Sequence, residues 1–144
     1  MYDNILLPTD GSDGTDRIAA HAIHIARQND ATLHILHVVD TSVLPLDAHS
    51  QSFYDQMEAA GRSSVVEIRD RAIDAGVHAV DSLHRGTPYR TILDYAEEND
   101  IDLIVLGTHG RGGVRRALLG SVAERVVRLS EAPVLTVRTL PLGE

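Results

Sequence analysis

Between residues 107 and 121 the chain reads GTHGRGGVRRALLGS, with five glycines, three arginines and no acidic residue. Gly107, Gly110, Gly120 and Ser121 carry a definite chemistry. Glycine admits positive φ and lets main-chain amides approach a ligand with no side chain in the way. Gly120 and Ser121 stand where a helix is expected to open, and the unpaired amides and dipole of a helix start favour an anion. Together these residues suit a cradle for phosphate oxygens, with Arg111 supplying charge. Turn formation alone needs one Gly or Ser, whereas four such residues and Arg111 share one connection. From Gly107 to Arg138, six arginines stand against two glutamates, a local excess that fits a small anionic ligand.

The pattern is neither a Walker A loop, which requires a lysine this chain lacks, nor G-x-G-x-x-G. Asp10, in the turn TDGSDG, is open to three readings: a Mg²⁺ ligand bridging phosphates, a hydrogen-bond partner of the ligand, or a turn former. The stretch DGSDGTD is similar to a calcium loop, but the twelfth position counted from Asp10 is His21 where an EF-hand needs Glu. His34 and His37, three apart on a strand, must point to opposite faces, which excludes a simple metal pair. His21 and His24 share a helix face without an evident third ligand. All four are expected to be surface or partly buried histidines. His109 lies inside the glycine-rich stretch, in reach of phosphate contact or acid–base work near neutral pH.

Composition narrows the classes. The chain has 144 residues, 43% of them apolar, enough for one domain, 1–144, with a real core. Without cysteine there is no disulfide, thiolate nucleophile or cysteine-type zinc site. A formal charge of −8 argues against nucleic-acid binding through a broad basic face. All 13 basic residues are arginine, and 14 aspartates accompany 7 glutamates; adaptation to high salt and GC-rich coding bias both account for this. No run is long enough to span a bilayer, and MYDNILLPTD has no basic lead, so a cytoplasmic location and no membrane partner are expected.

The elements that must position these residues follow from hydrophobic period. Residues 4–8 form a short apolar strand ended by Pro8. Ile18, Ala22, Ile25 and Ala26 predict a helix from Asp13 to Asn29, with Ser12 or Asp13 as N-cap. Thr32 to Val39 is a second strand, and residues 40–51, broken by Pro45, are expected to be a long polar loop. A helix from Phe53 to Ala75 stops at Gly76. A third strand covers 77–84, and Thr87 with Pro88 opens a third helix. Residues 101–107, continuously apolar, form a strand buried on both faces. A fourth helix follows Ser121, and 133–138 is the fifth strand. Five strands alternating with four helices imply an α/β doubly wound parallel sheet with helices on both faces. Ligands bind outside the carboxyl ends of such strands, where strand order reverses.

The spacing G-x2-G-x9-G-S, read at Gly107, Gly110, Gly120 and Ser121, resembles the nucleotide-binding signature of the universal stress protein family. ILLPTDGS at the start and HVVD at the end of the second strand also resemble it, and the similarity runs over essentially the whole chain. The resemblance implies the ATP-binding branch and the strand order 3-2-1-4-5. It implies that Pro8, Thr9 and Asp10 line the adenosine pocket, that the Val38 backbone meets adenine, and that Leu106 and Gly107 lie near the ribose. Gly110, Gly120, Ser121 and Val122 would hold the phosphates, with Arg111 beside them. It implies a homodimer as well, consistent with the β-branched fifth strand at a sheet edge that invites pairing. The expected function is an ATP-binding, nucleotide-dependent sensor or regulator in the stress response. The alternatives are a slow hydrolase using Asp10, Mg²⁺ and His109, and an interaction module with a structural nucleotide. No base with an orienting partner stands out, so binding is expected rather than turnover.

Overall fold

The computed structural model describes residues 1–11, 15–42, 48–109 and 119–139. Strands and helices alternate as β1 (Asn4–Thr9), α1 (Thr15–Asn29), β2 (Thr32–Asp40), α2 (Ala48–Asp74), β3 (His78–Gly86), α3 (Pro88–Glu98), β4 (Leu103–Gly107), α4 (Ser121–Leu129) and β5 (Val134–Val137). The five strands form one parallel sheet in the order β3-β2-β1-β4-β5. This is the doubly wound architecture expected from the alternation.

The sheet separates two apolar layers. On one face Ile5, Leu7, Leu33, Ile35 and Val105 pack with Ile18, Ala22 and Ala26 of α1 and Val65, Ile68 and Ala72 of α2. On the other, Leu6, Leu36, Ile104 and Leu106 pack with Ile92 and Tyr95 of α3 and Ala123 and Val126 of α4. Alternate residues of β1 and β4 thus enter opposite layers, which is why these central strands read as unbroken apolar runs.

Helices α1, α2 and α3 end the same way, which sets the angle at which each next strand starts. Asp30, Gly76 and Asp100 take φ of 53°, 83° and 53°. The following amides reach back to close the helix: Ala31 to the Ala26 carbonyl, Val77 to Ala72 and Ile101 to Ala96, each at 2.9 Å. The expected stop at Gly76 is therefore found.

Strand β3 runs from His78 to Gly86 rather than over 77–84, and β4 starts at Leu103 rather than at 101. Two further boundaries differ for a physical reason. Strand β1 continues through Pro8 to Thr9. Strand β4 pairs only with Ile5 and Leu6, so by Pro8 the strand is laddered to β2 alone and the missing proline N–H is tolerated. Helix α2 begins at Ala48, not Phe53, shortening the expected loop. Residues 51–53 are exposed, so this first part of the helix carries no apolar periodicity to announce it. The candidate caps Ser12 and Asp13, and Pro45, lie outside the described residues.

Candidate functional site

Strands β1 and β4 lie side by side, with β2 and β3 continuing outward on one flank and β5 on the other. Strand order reverses between them, and in parallel sheets of this kind the ligand crevice lies there, beyond the carboxyl ends of the strands. The turn after Thr9 and the connection after Gly107 both start at this crevice.

At the end of β1, Pro8, Thr9 and Asp10 are half-buried. Gly11 takes φ 74°, and its amide donates to Thr9 Oγ1 at 3.2 Å, which folds the chain back. The Thr9 carbonyl accepts from Nδ1 of His37 at 2.9 Å. Thr9 opposite His37 is the last register pair of β1 and β2. Beyond it, β2 runs on through Val38 to Asp40 with β3 on one edge and, among the described residues, no strand on the other. Val38 packs its side chain onto the layer below α3, so what it offers at the crevice is main chain.

At the end of β4, Leu106 is buried in that same layer and likewise has only its backbone to present. A Cβ on Gly107 would stand 2.7 Å from Ile18 Cδ1 and 2.8 Å from Thr139 Cγ2, so a side chain here is opposed by α1 and by the segment that follows β5. Thr108 ties three segments together. Its amide donates to the Val137 carbonyl at 2.9 Å, its carbonyl accepts the Gly120 amide at 2.6 Å, and its hydroxyl accepts from the Thr139 amide at 3.3 Å. Thr139 Oγ1 accepts from the His109 amide at 3.2 Å and donates to the His109 carbonyl at 3.0 Å.

The Thr108–Gly120 bond fixes where α4 begins. A helix leaves four amides without intrahelical partners. The Gly120 amide is used by Thr108, and the ladder starts with Glu124 donating to Gly120 at 2.9 Å. Among the described residues no side chain caps the helix. Nor does any described residue take the amides of Ser121, Val122 and Ala123, which stand at the positive end of the helix dipole, where an anion is favoured.

The fold thus gathers Pro8, Thr9, Asp10, Val38, Leu106, Gly107, Gly120, Ser121 and Val122 at one end of the sheet. Gly110 and Arg111 lie outside the described residues. The arginines of α4 are engaged elsewhere: Arg125 stacks 5.2 Å from the centre of the Tyr89 ring, and Arg128 pairs with Glu124 at 2.8 Å. His109 is buried, its Nδ1 3.1 Å from Thr108 Oγ1, and its amide and carbonyl join the stitching to Thr139. Among the described residues no group of three or more His, Asp or Glu is arranged to hold a metal.

His21 and His24 are exposed, and His34 and His37 point to opposite faces, as expected. The latter two are more buried than expected, at 9% and 8% exposure, because each finds polar partners inside. His34 sits between Tyr95 Oη at 2.9 Å and Asn4 Oδ1 at 3.1 Å. Thr108, Thr139 and His37 hold the site together, and sequence reasoning missed all three. Their roles arise from pairings across strands, for which spacing along the chain carries no signal.

Known proteins share this arrangement. The family model described as the universal stress protein family matches residues 1–138. Universal stress protein MJ0531 of Methanocaldococcus jannaschii is 38% identical over 141 residues, covering 96% of this chain and 83% of that protein. Among solved structures, the hypothetical protein MJ0577 superposes with a TM-score of 0.89 at 28% identity, covering 96% of each chain. A universal stress protein crystallised in complex with cAMP superposes with a TM-score of 0.76 at 30% identity, covering 96% of this chain and 99% of that one. With the family model matching residues 1–138 and a relative 38% identical over 96% of the chain, this chain belongs to the universal stress protein family.

Proposed function

We propose that this protein binds ATP in the crevice between β1 and β4 and acts as a nucleotide-dependent sensor or regulator in the stress response. One observation carries the reading: α4 starts where the strand order reverses, with three amides that no described residue takes and no side-chain cap among the described residues, a suitable polyphosphate acceptor at the end of a parallel sheet. The cAMP complex of a structural relative supports an adenine nucleotide as the ligand class.

In this reading each part of the ligand has its own residues. The main-chain edge at Val38, which no described strand pairs, would meet adenine. Pro8, Thr9 and Asp10 would line the adenosine pocket, Leu106 and Gly107 would meet the ribose through their backbone, and Gly110, Arg111, Gly120, Ser121 and Val122 would hold the phosphates. A Mg²⁺ ion would be carried chiefly by phosphate oxygens, with Asp10 the candidate protein ligand, and would supply charge neutralisation. We propose further that the protein is cytoplasmic and that two copies pair through the β5 edge.

Calorimetric titration of nucleotide-free protein with ATP, ADP and AMP tests the site. Gly120 has φ −67° and ψ 167°, a conformation valine adopts freely, so Gly120→Val places a side chain at the cradle without backbone strain. ATP is expected to bind the wild type and to bind the variant at least about tenfold more weakly, near 1.4 kcal/mol. Equal binding by both proteins overturns the site. A Mg²⁺-dependent turnover assay on the same samples separates a sensor from a hydrolase.

A further inference from the structure

His37 joins the candidate site to a helix that contributes none of its residues. Since a carbonyl only accepts, the 2.9 Å contact with Thr9 requires a proton on Nδ1 of His37. The accepted carbonyl belongs to the last residue of β1, whose hydroxyl also takes the Gly11 amide. The Thr9–Asp10–Gly11 turn is thus anchored to β2 through the imidazole, at the point where the β1–β2 ladder has run out.

The other side of the ring lies on α2. A Cβ at Gly61 would stand 2.7 Å from His37 Cγ and 2.5 Å from Nε2, and closer still to Cδ2. Gly61 is well inside the helix Ala48–Asp74, where glycine is a poorer helix former than alanine. The imidazole accounts for its presence: the helix gives up a side chain so that the ring can stand between α2 and β1.

We infer that His37 is a positioning residue for the nucleotide site, coupling the seating of α2 at Gly61 to the direction in which Asp10 leaves β1. This rests on the reading of Thr9 and Asp10 as nucleotide contacts. Holding the Thr9 carbonyl removes the freedom of the turn before ligand arrives, so part of the ordering cost of binding is met in advance. Any displacement of α2 over Gly61 moves the ring, and with it the turn.

Two substitutions separate the hydrogen bond from mere filling of space. His37→Phe keeps the ring and loses the donor. His37→Asn loses much of the ring but places an amide N–H near the position of Nδ1. ATP affinity, measured by calorimetry, is expected to fall about three- to tenfold in His37→Phe, the worth of one hydrogen bond, and to return close to wild type in His37→Asn. Thermal stability is expected to run the other way, since the asparagine packs less well. Gly61→Ala should weaken ATP binding in the wild-type background and have no further effect beside His37→Asn, where no ring opposes the new methyl. Wild-type affinity in His37→Phe overturns the inference, and so does affinity that simply follows stability across the set.

Hydrogen exchange at the Gly11 amide needs no ligand and keeps this test apart from that of the nucleotide reading. Faster exchange in His37→Phe, with Leu33 and Val105 unchanged and His37→Asn like wild type, supports the positioning role even where the wild type binds no ATP. Equal Gly11 exchange in all the proteins overturns it.

Discussion

The Gly120 amide donates to the Thr108 carbonyl across 2.6 Å, so the residue that opens α4 is tied directly to the residue that follows β4. This contact decides which amides face a ligand. Gly120 is spent on the protein, and among the described residues nothing takes the amides of Ser121, Val122 and Ala123. The cradle is therefore the first turn of α4 held at a set place beside the sheet.

Replacing Ser121 by proline tests that account. Proline is favoured at the first helical position and lacks only the N–H that the helix itself does not use. Gly120, at ψ 167°, already has the extended conformation that a following proline requires. Ser121→Pro is expected to change folding stability by less than about 0.5 kcal/mol and to weaken ATP binding by about three- to tenfold, the loss of one donor, with little effect on adenosine. Calorimetry with the two ligands, beside urea denaturation, measures both. An equal loss for adenosine would count against phosphate binding at this turn.

Gly107 is expected to matter for stability before it matters for ligand. Its missing Cβ faces Ile18 Cδ1 and Thr139 Cγ2 at 2.7 and 2.8 Å, so Gly107→Ala overpacks the layer under α1 and should cost about 1–3 kcal/mol. Ile18→Val removes the nearer obstacle. The double variant should recover part of the loss in chemical denaturation, and strictly additive effects would show that Ile18 is not the cause.

Stability is expected to decline on mild acidification through His34. Burial, and then the charge of nearby His78, hold the imidazole below its ordinary value of 6.5. The unfolded chain therefore takes up a proton near pH 6.5 while the folded protein resists it until lower pH. The stability this provides is complete above about 6.5 and lost as pH falls below that value, with a slope of at most about 1.4 kcal/mol per pH unit. Urea denaturation at pH 7.5 and 5.5 should show the wild type weakening, and His34→Gln, which cannot titrate, should weaken less. An identical pH dependence in both proteins would remove His34 as the source.

The proposed dimer has a main-chain test. The Ile104 amide donates to the Pro133 carbonyl and the Thr108 amide to Val137, so in the alternation of a parallel ladder the backbone groups of Val134 and Thr136 point to the open edge. Thr136→Pro deletes an outward N–H and leaves the ladder to β4 intact, as edge strands allow. Sedimentation equilibrium is expected to show at least about tenfold weaker association. An unchanged dimer would place the interface on another surface.

Much of this protein can be read along the chain, because periodicity is a local property. Unbroken apolar runs mark β1 and β4, a β-branched and apolar run interrupted by His34 and His37 marks β2, helical spacing marks α1, α3 and α4, and Gly76 and Pro88 mark boundaries. Their alternation alone implies a parallel sheet, and residues following strand ends, Asp10 and Gly107 among them, stand out as the places to look. The start of α2 is invisible by the same logic, since its exposed opening has no apolar face to reveal it.

What folding alone decides is which distant residues meet. The expectation that Gly107 serves a ligand says nothing of Ile18 and Thr139, which lie on other segments and oppose a side chain there. His109, chemically suited to a phosphate, is drawn into the β4–β5 stitching by Thr108 and Thr139. His37 and Gly61, 24 positions apart, become partners only when α2 lies across β2. A local pattern reflects the free energy of forming a strand or a helix. Contacts such as these are set by how whole elements pack, and the packing is fixed by shape and burial summed over the entire sheet.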